Sequence, residues 1–240
     1  MQKNVIHRFT IYLIILLFFS AKIKAESADN TSFVTQKYEI HIVLEGEGLK
    51  TIYCDDNIEI FGTENINFYI VNEENNKINI NSLVGKYFED NHYCQYLVRY
   101  NVIKPIEKII IEINGSPKKL KQLFANSEIS RLERFDYPFP ENENDFQGMF
   151  YNSTSLKYVN LINFKFSQAK DISKMFYNCS NLEEIIFPVG DTDNIEDFSD
   201  FISFSTKIEK VDLSTFTFTG AKNLGYMFNS CTNLKEIIFP

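Results

Sequence analysis

The sequence predicts an α/β repeat solenoid, with a short helix and a strand in each 26-residue coil, behind a β-rich N-terminal region. Three observations carry that expectation. Residues recur at a fixed 26-residue spacing from Phe146 to Pro240 with no insertion, the mark of units that stack to bury a shared core. Ile172, Met175 and Phe176 have the i, i+3, i+4 spacing of one apolar helix face. Leu182, Ile185 and Phe187 then fall on an alternating strand pattern that Pro188 ends.

The chain opens with a stretch that reads as a secretory leader. Lys3, His7 and Arg8 precede the apolar run Phe9–Phe19, and cleavage is expected after Ala25, giving a leader of 1–25. That run of eleven residues, apolar apart from Thr10, is too short for a bilayer span of about 20, and no second apolar run follows, so the mature chain is expected to have no membrane span. The β-rich region is 26–105. Tyr38, Ile40, Ile42 and Leu44 alternate before Gly46 and Gly48, and further short runs at Thr51–Tyr53, Ile58–Phe61, Ile66–Val71 and Ile78–Ile80 are broken by polar turns. This region is expected to cap the first coil.

The solenoid is read as 106–240. Ile106, Ile109, Ile111 and Ile113 repeat the strand pattern of the coils, and Leu123-Phe124 falls 26 residues before Met149-Phe150, so 106–145 is read as one or two divergent coils. The regular copies begin at Met149, Met175, Phe201 and Met227, each followed by Phe150, Phe176, Ile202 or Phe228. Four residues on stand Ser153, Cys179, Ser205 and Cys231, then the strand columns Val159, Ile185, Val211, Ile237 and Leu161, Phe187, Leu213, Phe239. Because the sequence stops in mid-repeat at Phe239-Pro240, truncation at the C-terminus is expected, with self-association as a second outcome at an open edge.

The stretch Met175–Pro188 resembles the repeat of BspA-type leucine-rich repeat surface proteins, whose unit is also 26 residues long, and Lys210–Thr219 is similar to that family's Leu-Asp-Leu-Ser-x-Phe-x-Thr segment. The resemblance covers roughly 106–240. The third copy departs from it, with Phe201-Ile202 in place of Met-Phe and no cysteine. It implies a leucine-rich-repeat-like fold and a secreted or surface-displayed protein that adheres or binds rather than catalyses.

A net charge of −8 with pI near 5.0 is opposite to the basic field that nucleic acid requires. Only three histidines occur, His7, His41 and His92, and no Gly-x-Ser-x-Gly, phosphate loop, dinucleotide fingerprint or Cys-x-x-Cys. Neither a catalytic site, a metal site nor a cofactor is expected. Asp55-Asp56 and the Asp191/Asp193 pair read as turn residues, and His41 as a solvated residue on the polar side of its strand. Cys179 and Cys231, two coils apart, would have Cα atoms roughly 10 Å apart, beyond the ~7 Å that a disulfide bridges. Cys54 and Cys94 are left either as a disulfide or as two separate buried thiols. Sequons stand at Asn30, Asn114, Asn152 and Asn178; for the last two, glycosylation and turn hydrogen bonding are both open.

Binding residues are expected on the outward strand face, in the columns Tyr158, Glu184, Lys210, Glu236 and Asn160, Ile186, Asp212, Ile238. Stacked opposite charges there would support register, while Tyr158, Ile186 and Ile238 would form a strip for an extracellular protein or glycan. A secreted hydrolase with its site in the N-terminal region, and a structural coat component, are the alternatives.

Overall fold

The structure, a computed structural model, describes residues 10–12, 37–46, 48–52, 66–72, 74–80, 84–89, 92–102, 106–114, 122–136, 145–190 and 192–240. The strands are β1 (Thr10–Tyr12), β2 (Lys37–Glu45), β3 (Gly48–Ile52), β4 (Ile66–Val71), β5 (Lys77–Asn79), β6 (Val84–Glu89) and β7 (His92–Val102). They continue as β8 (Ile106–Asn114), β9 (Arg131–Asp136), β10 (Tyr158–Asn160), β11 (Glu184–Ile186), β12 (Lys210–Asp212) and β13 (Glu236–Ile238). A four-stranded sheet has the order β1-β3-β7-β6, a mixed seven-stranded sheet the order β11-β10-β9-β2-β8-β4-β5, and β12 pairs with β13. β1 lies inside the stretch read as a leader.

There is no helix among the described residues, which overturns the α/β solenoid expected from the sequence. The segment expected to be helical forms consecutive turns instead. The N–H groups of Met175, Tyr177 and Cys179 donate to the carbonyls of Ile172, Lys174 and Phe176, three residues back. The intervening N–H groups, of Lys174, Phe176 and Asn178, leave the coil and donate to Ser199, Phe201 and Ser203 of the next, at 2.8–2.9 Å. In an α-helix the N–H groups past the first turn would instead bond four residues back within the element. Lys174 and Asn178 supply the alternation by adopting left-handed φ of 56° and 53°. Ile172, Met175 and Phe176 are still fully buried, so a spacing that suits a helix suits this double turn equally well.

The same pattern stacks every coil. Phe124, Phe150, Phe176 and Ile202 donate through their N–H groups to Met149, Met175, Phe201 and Met227, placing the methionine column and Phe201 in one line. Inside, the Phe150 and Phe176 rings stack at a centroid separation of 5.2 Å, and Phe124 lies tilted against Phe150 at 5.4 Å. Phe201 then stands in the methionine column and meets Phe176 edge-on at 5.6 Å, so the exchange of Met-Phe for Phe-Ile keeps a ring in that layer. Ser153, Cys179, Ser205 and Cys231, which recur at one position of the repeat, form a column of small side chains. Each donates its hydroxyl or thiol to a carbonyl 29 residues earlier, those of Phe124, Phe150, Phe176 and Ile202. Cys179 and Cys231 are free thiols; burial pushes both up in pKa, Cys179 the further, which holds them neutral as donors.

Four of the N-terminal strands, β2, β4, β5 and β8, share one sheet with β9, β10 and β11. β9 runs parallel to β10, with Arg131 opposite Tyr158 and Leu132 opposite Val159, and antiparallel to β2 along its other edge. A bulge between His41 and Ile42 adjusts the register. Ile40, Ile42 and Leu44 are buried in the same cluster as the coil core. β8, whose spacing matches the coil strands, lies antiparallel between β2 and β4 instead.

The strand ladder is interrupted once within the coils, since β11 and β12 belong to different sheets. Leu161 donates to Ile186 and Leu213 to Ile238. Pro188, which has no N–H to donate, follows β11. The turn layer stays closed across the same junction through Phe176 and Phe201.

Two outcomes follow for stability. A Cβ on Gly220 would sit 2.1 Å from the Asp193 carbonyl oxygen, so Gly220→Ala is expected to cost about 1–3 kcal/mol in urea unfolding. Glu39 is 1% exposed and ion-paired with Lys77, so Lys77→Met is expected to cost about 2–4 kcal/mol by leaving a buried carboxylate without its cation. Adding Glu39→Gln to Lys77→Met should recover most of that loss in the same assay.

Candidate functional site

The outward side chains of the coil strands stand in rows because the strands pair parallel with a 26-residue offset. Tyr158 is opposite Glu184 and Asn160 opposite Ile186; Lys210 is opposite Glu236 and Asp212 opposite Ile238. The eight expected residues are thus brought into two groups of four, separated by the ladder interruption. Lys210 Nζ meets Glu236 Oε1 at 2.9 Å, but among the described residues no ion pair joins Glu184 to Lys210.

Local roles account for several of these side chains. The Arg131 guanidinium lies over the Tyr158 ring, 4.3 Å from its centroid, a cation–π contact that extends the row onto β9. Asn160 Oδ1 accepts the N–H of Ile162 at 3.0 Å, and Asp212 Oδ1 that of Ser214 at 2.9 Å, closing the turn after each strand. The Ser214 hydroxyl and N–H hold the Asp212 carboxyl below its ordinary pKa. Ile186 and Ile238 are half-buried. What faces outward is a mixed row, Arg131–Tyr158–Glu184, bordered by Ile186.

The strongly exposed apolar side chains near β10 and β11 lie just past the strands. Ile162 is 57% and Val189 86% exposed. Both could have been found by comparing return segments: coils one and three carry Phe164/Phe166 and Phe216/Phe218, whereas coil two carries Gly190 and Thr192.

A second polar group lies on β2, where His41 was expected to be solvated. Its Nε2 is instead buried and 3.5 Å from Glu39 Oε2, and neither atom has a hydrogen-bond partner. Glu39 is the cross-strand partner of Asp136, whose carboxylate takes Arg134 and the Asn163 amide. Glu39 itself takes Lys77. Strict alternation with Ile40 and Ile42 hid this cluster, since it places Glu39 on the face assumed to meet water.

The other expected positions divide as follows. Asn178 donates its amide to Asn152, and Asn152 to Asn126, at 2.6 and 2.8 Å, so both sequon side chains belong to an asparagine ladder at the left-handed turn positions. Asp193 accepts hydrogen bonds from Thr217 and Thr219, which lower its pKa. Asn30, Cys54, Asp55, Asp56 and Asp191, and the side chains of His92, Cys94 and Asn114, lie outside the described residues, so the Cys54–Cys94 alternatives do too. Among the described residues no three His, Cys, Asp or Glu side chains converge as metal ligands, and no helix is long and apolar enough to cross a membrane.

Residues 144–238 are similar to a family described as Mycoplasma protein of unknown function, DUF285. No curated protein and no solved structure matches the chain. The matched stretch begins one residue before Asp145 and ends with β13, so its bounds are those of the regular coils.

Proposed function

We propose that the chain is exported and displayed as a repeat protein that binds an extracellular protein or glycan across the strand rows of its coils. The observation that carries this reading is the alignment of Arg131, Tyr158 and Glu184 in one partly exposed row across three strands. A tyrosine ring beside an arginine combines contact area with charge, and both residue types are enriched among interface anchors. The resemblance of the coil sequence to BspA-type surface proteins and the leader-like residues 1–25 point to the same compartment and the same class of work.

Hydrolysis in the N-terminal region is the reading from another class. Its nearest material is Glu39 and Asp136, buried cross-strand partners. An acid–base pair needs one carboxyl free to carry a proton and the other free to face substrate. Lys77 neutralises the first, while Arg134 and Asn163 engage the second, which favours a structural ion-pair cluster.

Arrays of glycans and immobilised matrix proteins, probed with the purified full chain, test the binding reading. Tyr158→Ser combined with Glu184→Lys is expected to weaken a captured ligand by at least about tenfold. Circular dichroism melting should stay within a few degrees of the parent, since both side chains are at the surface. Equal binding by parent and variant would move the site off this row.

A further inference from the structure

We infer that the turn layer carries a glycan-binding notch, in which a neutral sugar ring sits between Tyr177 of the second regular coil and Phe204 of the third. Two side-chain ladders run along this layer, and both end at the third coil. The Tyr151 and Tyr177 rings stack at 5.0 Å, and Ser203 follows them in the repeat. Asn178 donates its amide to Asn152, and Asn152 to Asn126, and Phe204 follows them. The aromatic side chain is thus displaced by one residue, out of the ring column and into the asparagine column.

That displacement is unfavourable for the stack in three ways. Asn126, Asn152, Asn178 and Phe204 all take left-handed φ, of 60°, 58°, 53° and 61°; asparagine accepts this conformation, whereas a bulky ring there is an outlier. Phe204 also withholds the amide that would continue the ladder, so Asn178 Oδ1 accepts no hydrogen bond among the described residues. Nor is the ring buried in return. Phe204 is 37% exposed, and its ring contact among the described residues is with Tyr177 alone, at 5.2 Å and tilted by 55°. A strained, exposed ring where the period supplies asparagine points to recognition rather than packing.

The groups around the notch select the ligand. Ser203, where the next stacked ring would stand, is buried and turns its hydroxyl to Asp200 and to the Tyr226 carbonyl, so its column puts no ring between Tyr177 and Phe204. Aromatic faces carry negative potential and attract polarised C–H groups, while the free Asn178 carbonyl in the column of Phe204 calls for a hydrogen-bond donor. A sugar ring presents both, a C–H face and hydroxyls at its edge. The bordering column, whose Gly148 would bring a Cβ within 3.3 Å of the Tyr151 Cβ, continues with Lys174 and Asp200. One charge of each sign favours neither an anion nor a cation, which suits a neutral glycan. The notch lies on the turn layer, outside the strand rows, so its failure leaves the strand-row reading standing.

The test uses the 15N-labelled full chain with maltotriose, cellotriose, triacetylchitotriose and Ac-Phe-NH2 as probes. At about 10 mM, suited to millimolar single-site binding, at least one trisaccharide should shift the backbone amides of Asn178 and Phe204 and the Asn178 side-chain amide. Phe204→Asn should raise the dissociation constant of that sugar at least about threefold, and Phe204→Tyr should keep it within about twofold, the scale of one ring contact. Asn178→Gly keeps the left-handed turn and removes the acceptor, and should weaken binding at least about threefold. In urea unfolding, Phe204→Asn should leave the midpoint at or above the parent's, as for a ring the stack does not need. The proposal is overturned if no trisaccharide shifts these amides, or if Phe204→Asn or Asn178→Gly binds the sugar as tightly as the parent. A urea midpoint lowered by more than about 0.5 M in Phe204→Asn would make the ring structural and equally overturn it. Ac-Phe-NH2 shifting the same amides at a lower concentration than every sugar would assign the notch to a protein side chain, with the same result.

Discussion

Each coil holds the next through backbone hydrogen bonds from its turn layer, and the rest of the structure depends on them. A helix closes its own peptide groups and can in principle exist alone. The double turn at Ile172–Cys179 closes the N–H groups of Met175, Tyr177 and Cys179 within itself and gives those of Ile172, Lys174, Phe176 and Asn178 to the neighbouring coil. Leaving such groups buried and unpaired would cost about 1–3 kcal/mol each, so these coils are stable only as a stack. The same constraint explains the side chains that accompany it. Ser153, Cys179, Ser205 and Cys231 donate to carbonyls of the coil before, and Asp145, Asp171 and Asp197 accept the N–H two residues on. Polar atoms at the coil boundary are thereby paired while the rings inside stay dry.

A stack held in this way needs its first face covered, and β9 supplies the transition. One edge of β9 accepts the parallel geometry of the coils; the other accepts β2 antiparallel. The bulge between His41 and Ile42 reconciles the two, which places Ile40, Ile42 and Leu44 in the coil core. Outward-facing Glu39 is consequently covered rather than solvated. Its pairing with Lys77 follows from that, because a buried carboxylate without a cation is unfavourable by several kcal/mol.

The period was legible in the sequence because one coil's columns recur without insertion, and with it came the shared line of Met149, Met175, Phe201 and Met227 and the position, though not the donor role, of the serine and cysteine column. The local conformation was not. Ile172, Met175 and Phe176 satisfy a helix and a double turn alike, and the discriminating clue lay elsewhere. Asn126, Asn152 and Asn178 recur where the chain takes left-handed φ, a conformation asparagine tolerates better than most residues. Lys174, Asp200, Phe204 and Tyr226 take it too, without announcing it. Ile106–Ile113 misled for a related reason: periodicity of apolar residues fixes which side chains are inside, not whether the neighbouring strand runs parallel or antiparallel.

In a repeat protein the places where the period fails carry more information about function than those where it holds. Tyr158, Glu184 and Ile186 were visible because they sit in regular columns, yet regular columns are also what stacking alone requires; Arg131 becomes their neighbour only through the junction with β9. Pro188, Gly190 and Thr192 break the pattern of both flanking coils, and three structural departures coincide there: the strand ladder opens between β11 and β12, Phe166 bridges to Phe216, and Val189 stands clear of the surface. Because the turn layer continues unbroken beneath, the second coil can carry an open strand ladder without separating the stack.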